Sequence, residues 1–159
     1  MISVIHDSPV GKLTLISNGE ALTHCEFEAP KYPAPSAPRG EDEILKAARR
    51  QLDAYFAGDL RVFDVPLAPQ GTPFQQRAWA ALLKIPYGVT RSYGQQAAAI
   101  RAPKAVRAVG LANGRNPIAV IIPCHRVIGA NGSLTGYGGG MERKRFLLDL
   151  EQGAPLLRC

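Results

Sequence analysis

The residues of this 159-residue chain best suited to covalent chemistry are Cys124, His125 and Arg126, which follow one another directly after Pro123. A thiol attacks as its thiolate, an imidazole can take its proton, and cationic neighbours favour the anion. Read from residue types alone, these neighbours should lower the Cys124 pKa. Five apolar residues, Ile118, Ala119, Val120, Ile121 and Ile122, come just before. Such a run reads as a buried strand covered on both faces, and Pro123 cannot continue its ladder, so the backbone turns at Cys124. The thiol is then expected at the edge of the core, within reach of a substrate. The alternative is a buried, inert small hydrophobe, which is what most free cysteines are.

The neighbouring elements must position this turn. Thr72, with Pro73 at the first helical position and Gln75 three residues on, predicts a helix whose buried stripe is Phe74, Ala78, Trp79, Leu82 and Leu83. Ser92 and Gln95 repeat the signature for a short helix reaching Ile100. Arg101, Ala102 and Pro103 make a tight turn, and a second helix is expected over residues 104 to 112, ended by Asn113 and Gly114. Two short helices so joined are the pattern of a helix-turn-helix, a pattern shared with helical hairpins that never meet DNA. Ala105, Ala108, Gly110 and Ala112 leave part of the second helix bare, with Arg107 on the same segment. Small residues suit tight packing on another helix, or close approach to a nucleic-acid groove with Arg107 inserted. Gly138, Gly139 and Gly140 form either a linker or a pocket wall of backbone N–H groups, and a final helix follows over residues 141 to 151.

The first part of the chain reads differently. Residues 2 to 28 alternate as a short antiparallel meander with turns at Val10–Gly11 and Asn18–Gly19. A proline-rich surface connection occupies residues 29 to 40. An amphipathic helix is expected over residues 41 to 57, with Leu45, Ala48, Leu52, Tyr55 and Phe56 near one face, then a further strand over residues 62 to 67. His6, His24 and Cys25 lack the spacing of a zinc site, so no metal is expected. No phosphate-binding loop occurs, so no nucleotide cofactor is indicated. Three scattered cysteines, no signal-like N-terminus and no membrane-length apolar stretch suggest a soluble, cytoplasmic protein without disulfides. The net charge is +6, and Lys84, Arg91, Arg101, Lys104, Arg107, Arg115, Arg126, Arg143, Lys144 and Arg145 all lie in the half that carries Cys124. A polyanionic partner fits that distribution.

The run Pro123-Cys124-His125-Arg126-Val127, with Asn116-Pro117 before it and Gly136-Tyr137-Gly138-Gly139-Gly140 after it, resembles the active-site signature of the O6-alkylguanine-DNA alkyltransferases. The resemblance is close from Thr72 to Glu151 and covers the first part only in its general layout. It implies an α/β fold in two parts: residues 1–68 as a ribonuclease H-like domain, an antiparallel sheet with one helix and a structural role, and residues 72–159 as a mostly helical domain with a winged-helix-like helix-turn-helix. It implies duplex DNA containing O6-alkylguanine as partner, minor-groove binding, base flipping, a protein monomeric in solution, and no cofactor, and it leaves open O4-alkylthymine as a second substrate and cooperative binding along DNA. Cys124 would be the alkyl acceptor, His125 the base acting through a water, and Glu151 the carboxylate that orients it. Asn116 would be a hinge, Tyr93 would promote flipping and reach guanine N3, and Arg107 would fill the space the nucleotide leaves. Lys104, Ala105, Ala108, Gly110, Ala112 and Arg126 would contact DNA, while Val127, Tyr137, Gly138 and Met141 would line the base pocket. A thioether on Cys124 has no easy hydrolytic exit, so the protein would act once.

Three other readings compete. A damage sensor would hold a flipped base without transfer, and the presence of Cys124 argues against it. A thiol hydrolase could use Cys124, His125 and Glu151, though adjacent Cys and His make an unusual dyad. A transcription regulator would prefer a DNA sequence over a lesion.

Overall fold

The computed structural model describes residues 1–134 and 137–153. Gly136, part of the glycine-rich motif, and Cys159, at the C-terminal end, lie outside the described residues. The chain forms two compact units, Met1–Gln70 together with Pro117–Ile121, and Gly71–Asn116 together with the chain from Ile122 on.

The first unit is an antiparallel sheet with one helix. Strands β1 (Ile2–Ser8), β2 (Gly11–Ser17) and β3 (Leu22–Glu26) pair in chain order. Ser8 pairs with Gly11, whose φ of 102° is easy only for glycine, and this closes the first hairpin around Pro9 and Val10. Leu13 and Leu15, two residues apart, share one face and are fully buried. Helix α1 (Glu43–Phe56) covers that face with Leu45, Ala48, Leu52 and Tyr55. Asp42 caps it, accepting from the Leu45 N–H at 2.8 Å, and its other oxygen accepts from Ser17 Oγ at 2.7 Å. The expected strand over residues 62 to 67 is absent. One parallel bridge forms, Leu67 to Leu22, with Leu22 N–H donating to the Pro66 carbonyl.

The run Ile118 to Ile122 is buried, as its composition requires, but it is not a strand. Ile118 makes a single parallel bridge to Cys25, between Cys25 N–H and Pro117 O (2.9 Å) and between Ala119 N–H and Cys25 O (2.8 Å). The chain then curls, with Ile121 N–H donating to Ala119 O, and Val120 takes φ 70°, a conformation costly for a β-branched residue. An apolar run reports burial. It does not by itself supply a ladder, which the left-handed backbone at Val120 ends after one bridge.

The second unit is mostly helical: α2 (Pro73–Leu83), α3 (Tyr93–Ala99), α4 (Val106–Gly114) and α5 (Met141–Glu151), with a two-residue parallel ladder of β4 (Arg91–Ser92) and β5 (Val127–Ile128). Both capping boxes form, Thr72 with Gln75 and Ser92 with Gln95. Ala78, Trp79 and Leu82 are buried, whereas Leu83, expected in the stripe, is half exposed, being about 100° round the helix from Leu82 at its last turn. Trp79 crosses to α4, where Nε1–H donates to Ala112 O at 2.9 Å, and its ring lies where a side chain on Gly71 would have to go. Helix α4 begins two residues later than expected and runs through Asn113 and Gly114, since nothing forces a break there once tertiary contacts hold the last turn.

Among the described residues no helix is long and apolar enough to cross a membrane.

Candidate functional site

Pro123 precedes a single 3₁₀ turn, Cys124–Arg126, and this turn aims three consecutive side chains in different directions. Cys124 is partly accessible, whereas His125 and Arg126 are buried. Asn116, two residues beyond α4, holds the turn: its Nδ2 donates to Ile122 O at 2.7 Å and lies 3.3 Å from Cys124 Sγ. One amide thereby binds the backbone on the approach to the thiol and the thiol itself.

The electrostatics differ from the sequence expectation. Burial pushes the Cys124 pKa up. The Asn116 amide, the Lys144 ammonium, the residue's own backbone N–H and the Tyr137 hydroxyl pull it back without overcoming burial. The resting group is a thiol because burial outweighs these contacts, and Arg126, a cationic neighbour in sequence, spends its charge on Glu151. A base is therefore required to form the nucleophile.

The proton acceptor that the geometry offers beside this thiol is His125. Its Nε2 lies 2.7 Å from Glu151 Oε2 in a pair hidden from solvent. Burial would raise the Glu151 pKa, but the hydrogen bonds and charges of His125 and Arg126 bring it to about 2, so Glu151 is a carboxylate. A carboxylate accepts, which assigns the ring proton to Nε2 and leaves the lone pair on Nδ1. That Nδ1 is buried and has no hydrogen-bond partner among the described residues. Burial, only partly offset by Glu151, lowers the His125 pKa and keeps the imidazole neutral.

Arg126 was expected at the DNA surface, and the structure corrects this. Its Nε donates to Glu151 Oε1 at 2.7 Å, Nη2 to Oε2 at 3.0 Å and Nη1 to Ile85 O at 2.7 Å, with the guanidinium 5.8 Å from the Tyr87 ring centroid. A guanidinium buried and anchored at three points is not presented to phosphate. Its work is to hold Glu151 ionised.

Lys144 was missed as a site residue. It lies on α5 with Leu147, Leu148 and Glu151, all buried, so the helical spacing that located the core face already placed the lysine on it. Its Nζ donates to Val127 O at 2.7 Å and sits 5.9 Å from the ring centroids of both Tyr93 and Tyr137. Burial lowers its pKa, and the Cys124 thiolate would raise it, so the two groups sense each other.

The helical pair lies in the same unit. Tyr93 opens α3, half buried, facing Gly110 of α4. Lys104, Arg107 and Ala108 are exposed, Ala105 caps α4 half buried, and Gly110 is turned towards Tyr93. Ala112, expected on the DNA-facing surface, is buried against α2, because residues 105, 109 and 112 share the inner side of the helix. Leu111 was not anticipated: it is 69% exposed, one turn beyond Arg107 on the same face. Met141 is exposed at the start of α5, and Gly138 is exposed in the turn before it, where Gly140 takes φ 90°. Among the described residues no group of three or more His, Cys, Asp or Glu is gathered to hold a metal ion.

Two family models match this chain: the 6-O-methylguanine DNA methyltransferase ribonuclease-like domain over residues 1–69, and the DNA-binding domain of the same family over residues 73–153. The chain belongs to the 6-O-methylguanine DNA methyltransferase family. It is similar to the methylated-DNA–protein-cysteine methyltransferase of Mycobacterium bovis, 58% identical over 147 residues, 92% of this chain and 89% of the relative. The enzyme of that name from Methanosarcina acetivorans is 54% identical over 153 residues, 95% of this chain and 98% of the relative. A crystal structure of Mycobacterium tuberculosis OGT in complex with DNA superposes with a TM-score of 0.91 at 55% identity, covering 98% of this chain and 96% of that one. The two-part α/β architecture is that of this family.

Proposed function

We propose that this methyltransferase-family chain repairs duplex DNA by moving the alkyl group of O6-alkylguanine, once, onto Cys124. The observation that carries this reading is the buried relay Arg126–Glu151–His125 beside a thiol that Asn116 holds in place. In the step, His125 Nδ1 takes the thiol proton through a water and sulfur attacks the alkyl carbon. The carbon–oxygen bond breaks and its electron pair stays on O6, whose charge is relieved by protonation or hydrogen bonding of the ring. The products are a Cys124 thioether and guanine. Tyr93 serves guanine N3, the Gly138 N–H serves O6, and the carbonyls of Cys124 and Val127 accept from the exocyclic amine. Tyr137 and Met141 border the pocket. O4-alkylthymine is the second substrate of the same chemistry.

Access requires the base to leave the stack. Residues 72–159 form the DNA-binding and acceptor part in this reading, with residues 1–68 structural. Helix α4 enters the minor groove with Arg107 inserted and Leu111 against the groove wall, and Lys104, Ala105, Ala108 and Gly110 lie along the approach. The crystal structure of Mycobacterium tuberculosis OGT in complex with DNA supports DNA as the partner. The protein acts as a cytoplasmic monomer.

The deciding experiment is intact and peptide mass spectrometry after incubation with a duplex holding one O6-methylguanine, with Cys124→Ala as control. One methyl group on the Cys124 peptide, saturating at one per chain and absent from the control, is the expected result. Binding of the lesion without gain of mass would replace transfer by damage sensing.

A further inference from the structure

Between α3 and α4 lies a polar contact that the reaction scheme leaves unused. Gln96 and Asn113 are both buried, and their side-chain amides pair reciprocally. Gln96 Nε2 donates to Asn113 Oδ1 at 2.9 Å, and Asn113 Nδ2 donates to Gln96 Oε1 at 2.8 Å. The second N–H of Gln96 reaches Ala78 O on α2 at 3.2 Å. The buried cluster that α3 and α4 also share is purely apolar at its centre: Ala97, Ile100 and Val109 are buried, with Phe74, Ala81, Tyr93 and Ala102 packed against them.

Contacts of that kind hold two helices together without dictating one register, because volume and apolarity can be satisfied in several ways. A reciprocal amide pair is stricter. Sliding α4 by one residue moves Asn113 by about 1.5 Å and rotates it by about 100°, which breaks both bonds and leaves buried amides unsatisfied. The helices themselves cannot supply rigidity, being short: α3 spans Tyr93–Ala99 and α4 Val106–Gly114. The pair also sits at a useful point. Gln96 is one turn after Tyr93. Asn113 follows Arg107 on α4, and its carbonyl accepts the N–H of Asn116, the residue that holds the Cys124 turn.

We propose that the Gln96–Asn113 amide pair is a positioning device for the transfer reaction, locking α3 and α4 in the one register that sets Tyr93 and Arg107 against the same nucleotide. This rests on the base-flipping reading of the preceding section. The pair touches neither substrate nor thiol. It acts through the two helices, so it matters for a base that must be extracted from a duplex and not for a base that diffuses in alone.

The test compares two substrates: a duplex with one O6-methylguanine, and the free O6-methylguanine base at high concentration. Transfer to Cys124 is followed by mass in the wild-type chain, in Gln96→Leu/Asn113→Leu, which removes both amides together, and in Asn113→Ser, which keeps a polar group but loses the reciprocal bond. Thermal melts identify folded variants. The expected result is an unchanged rate with the free base and a duplex rate lower by on the order of tenfold, the size of a small misplacement of reacting groups. A folded variant that repairs the duplex at the wild-type rate overturns the proposal, and so does an equal loss on both substrates, which marks a merely structural contact. Should the double variant fail to fold, Asn113→Ser decides by the same ratio. If the wild-type chain itself transfers nothing from the duplex, the transfer reading fails and the proposal falls with it.

Discussion

Two histidines in this protein each meet a carboxylate at nearly the same distance, and their surroundings make them different groups. In the first unit His6 Nε2 lies 2.8 Å from Asp53 Oδ1, and in the second His125 Nε2 lies 2.7 Å from Glu151 Oε2. Asp53 is 68% exposed, so water competes for its charge, whereas Glu151 is 1% exposed and doubly bonded by Arg126. At His6 the second ring nitrogen is also taken, by Arg49 Nε at 3.3 Å. At His125 the second nitrogen has no partner among the described residues. A histidine–carboxylate contact is therefore not a base by itself. It becomes one when the carboxylate is held ionised out of water and the far nitrogen is left to accept.

The largest effect that would test this contrast is Glu151→Gln. It should slow alkyl transfer by on the order of a hundredfold in single-turnover kinetics, since the imidazole loses both its orientation and its charge partner. Leaving Arg126 buried without a counter-charge should also cost about 3–5 kcal/mol in urea melts. A near-normal rate in the folded variant would break the comparison.

Acid should show the same asymmetry. Glu151, at about 2 in the fold, binds a proton less readily than an unfolded glutamate at roughly 4.3, so its contribution is present above the unfolded value and lost as pH falls from about 5 towards 2. His125 adds to the loss in a higher window. Its folded pKa is below 6.5, so the unfolded chain takes the proton first and stability declines as pH drops below 6.5. Melting temperature followed against pH should fall in both windows, and Glu151→Gln should flatten the lower one.

Lys144→Met sharpens the account of the thiol. Removing the ammonium should raise the Cys124 pKa further, moving the alkaline limb of the pH–rate profile upward and slowing transfer at neutral pH by about tenfold, with Lys144→Arg restoring part of the rate. An unmoved profile would mean that Lys144 serves packing alone. The smallest effect belongs to Asp53→Asn: the transfer rate should not change, and stability should shift by less than about 1 kcal/mol, as for other exposed ion pairs.

Much of the second unit was legible locally. Thr72 with Gln75, and Ser92 with Gln95, announce helix starts because a cap is a contact among residues three apart, and both boxes form. The final helix, Met141–Glu151, begins and ends where its apolar spacing and flanking glycines say. The run from Ile118 to Ile122 was misread for the opposite reason. Its apolarity announces burial, but a strand needs a continuous ladder, and after the one bridge from Ile118 to Cys25 of β3 the chain curls at Val120. Arg126 and Ala112 were placed outside because their types allow it, and they lie inside because Glu151 and Trp79 reach them.

The sequence by itself determined the order of the helices, the two capping boxes, most of the apolar faces and the Cys124–His125 juxtaposition, since each depends on residues a turn or two apart. The tertiary structure decided the chemistry of those residues. Arg126 became the partner of Glu151 across 25 positions, Lys144 was buried between two tyrosines, and Cys124 was left a thiol with a neutral base beside it. Charge and proton affinity follow from desolvation and from partners distant in sequence, and only folding brings those together.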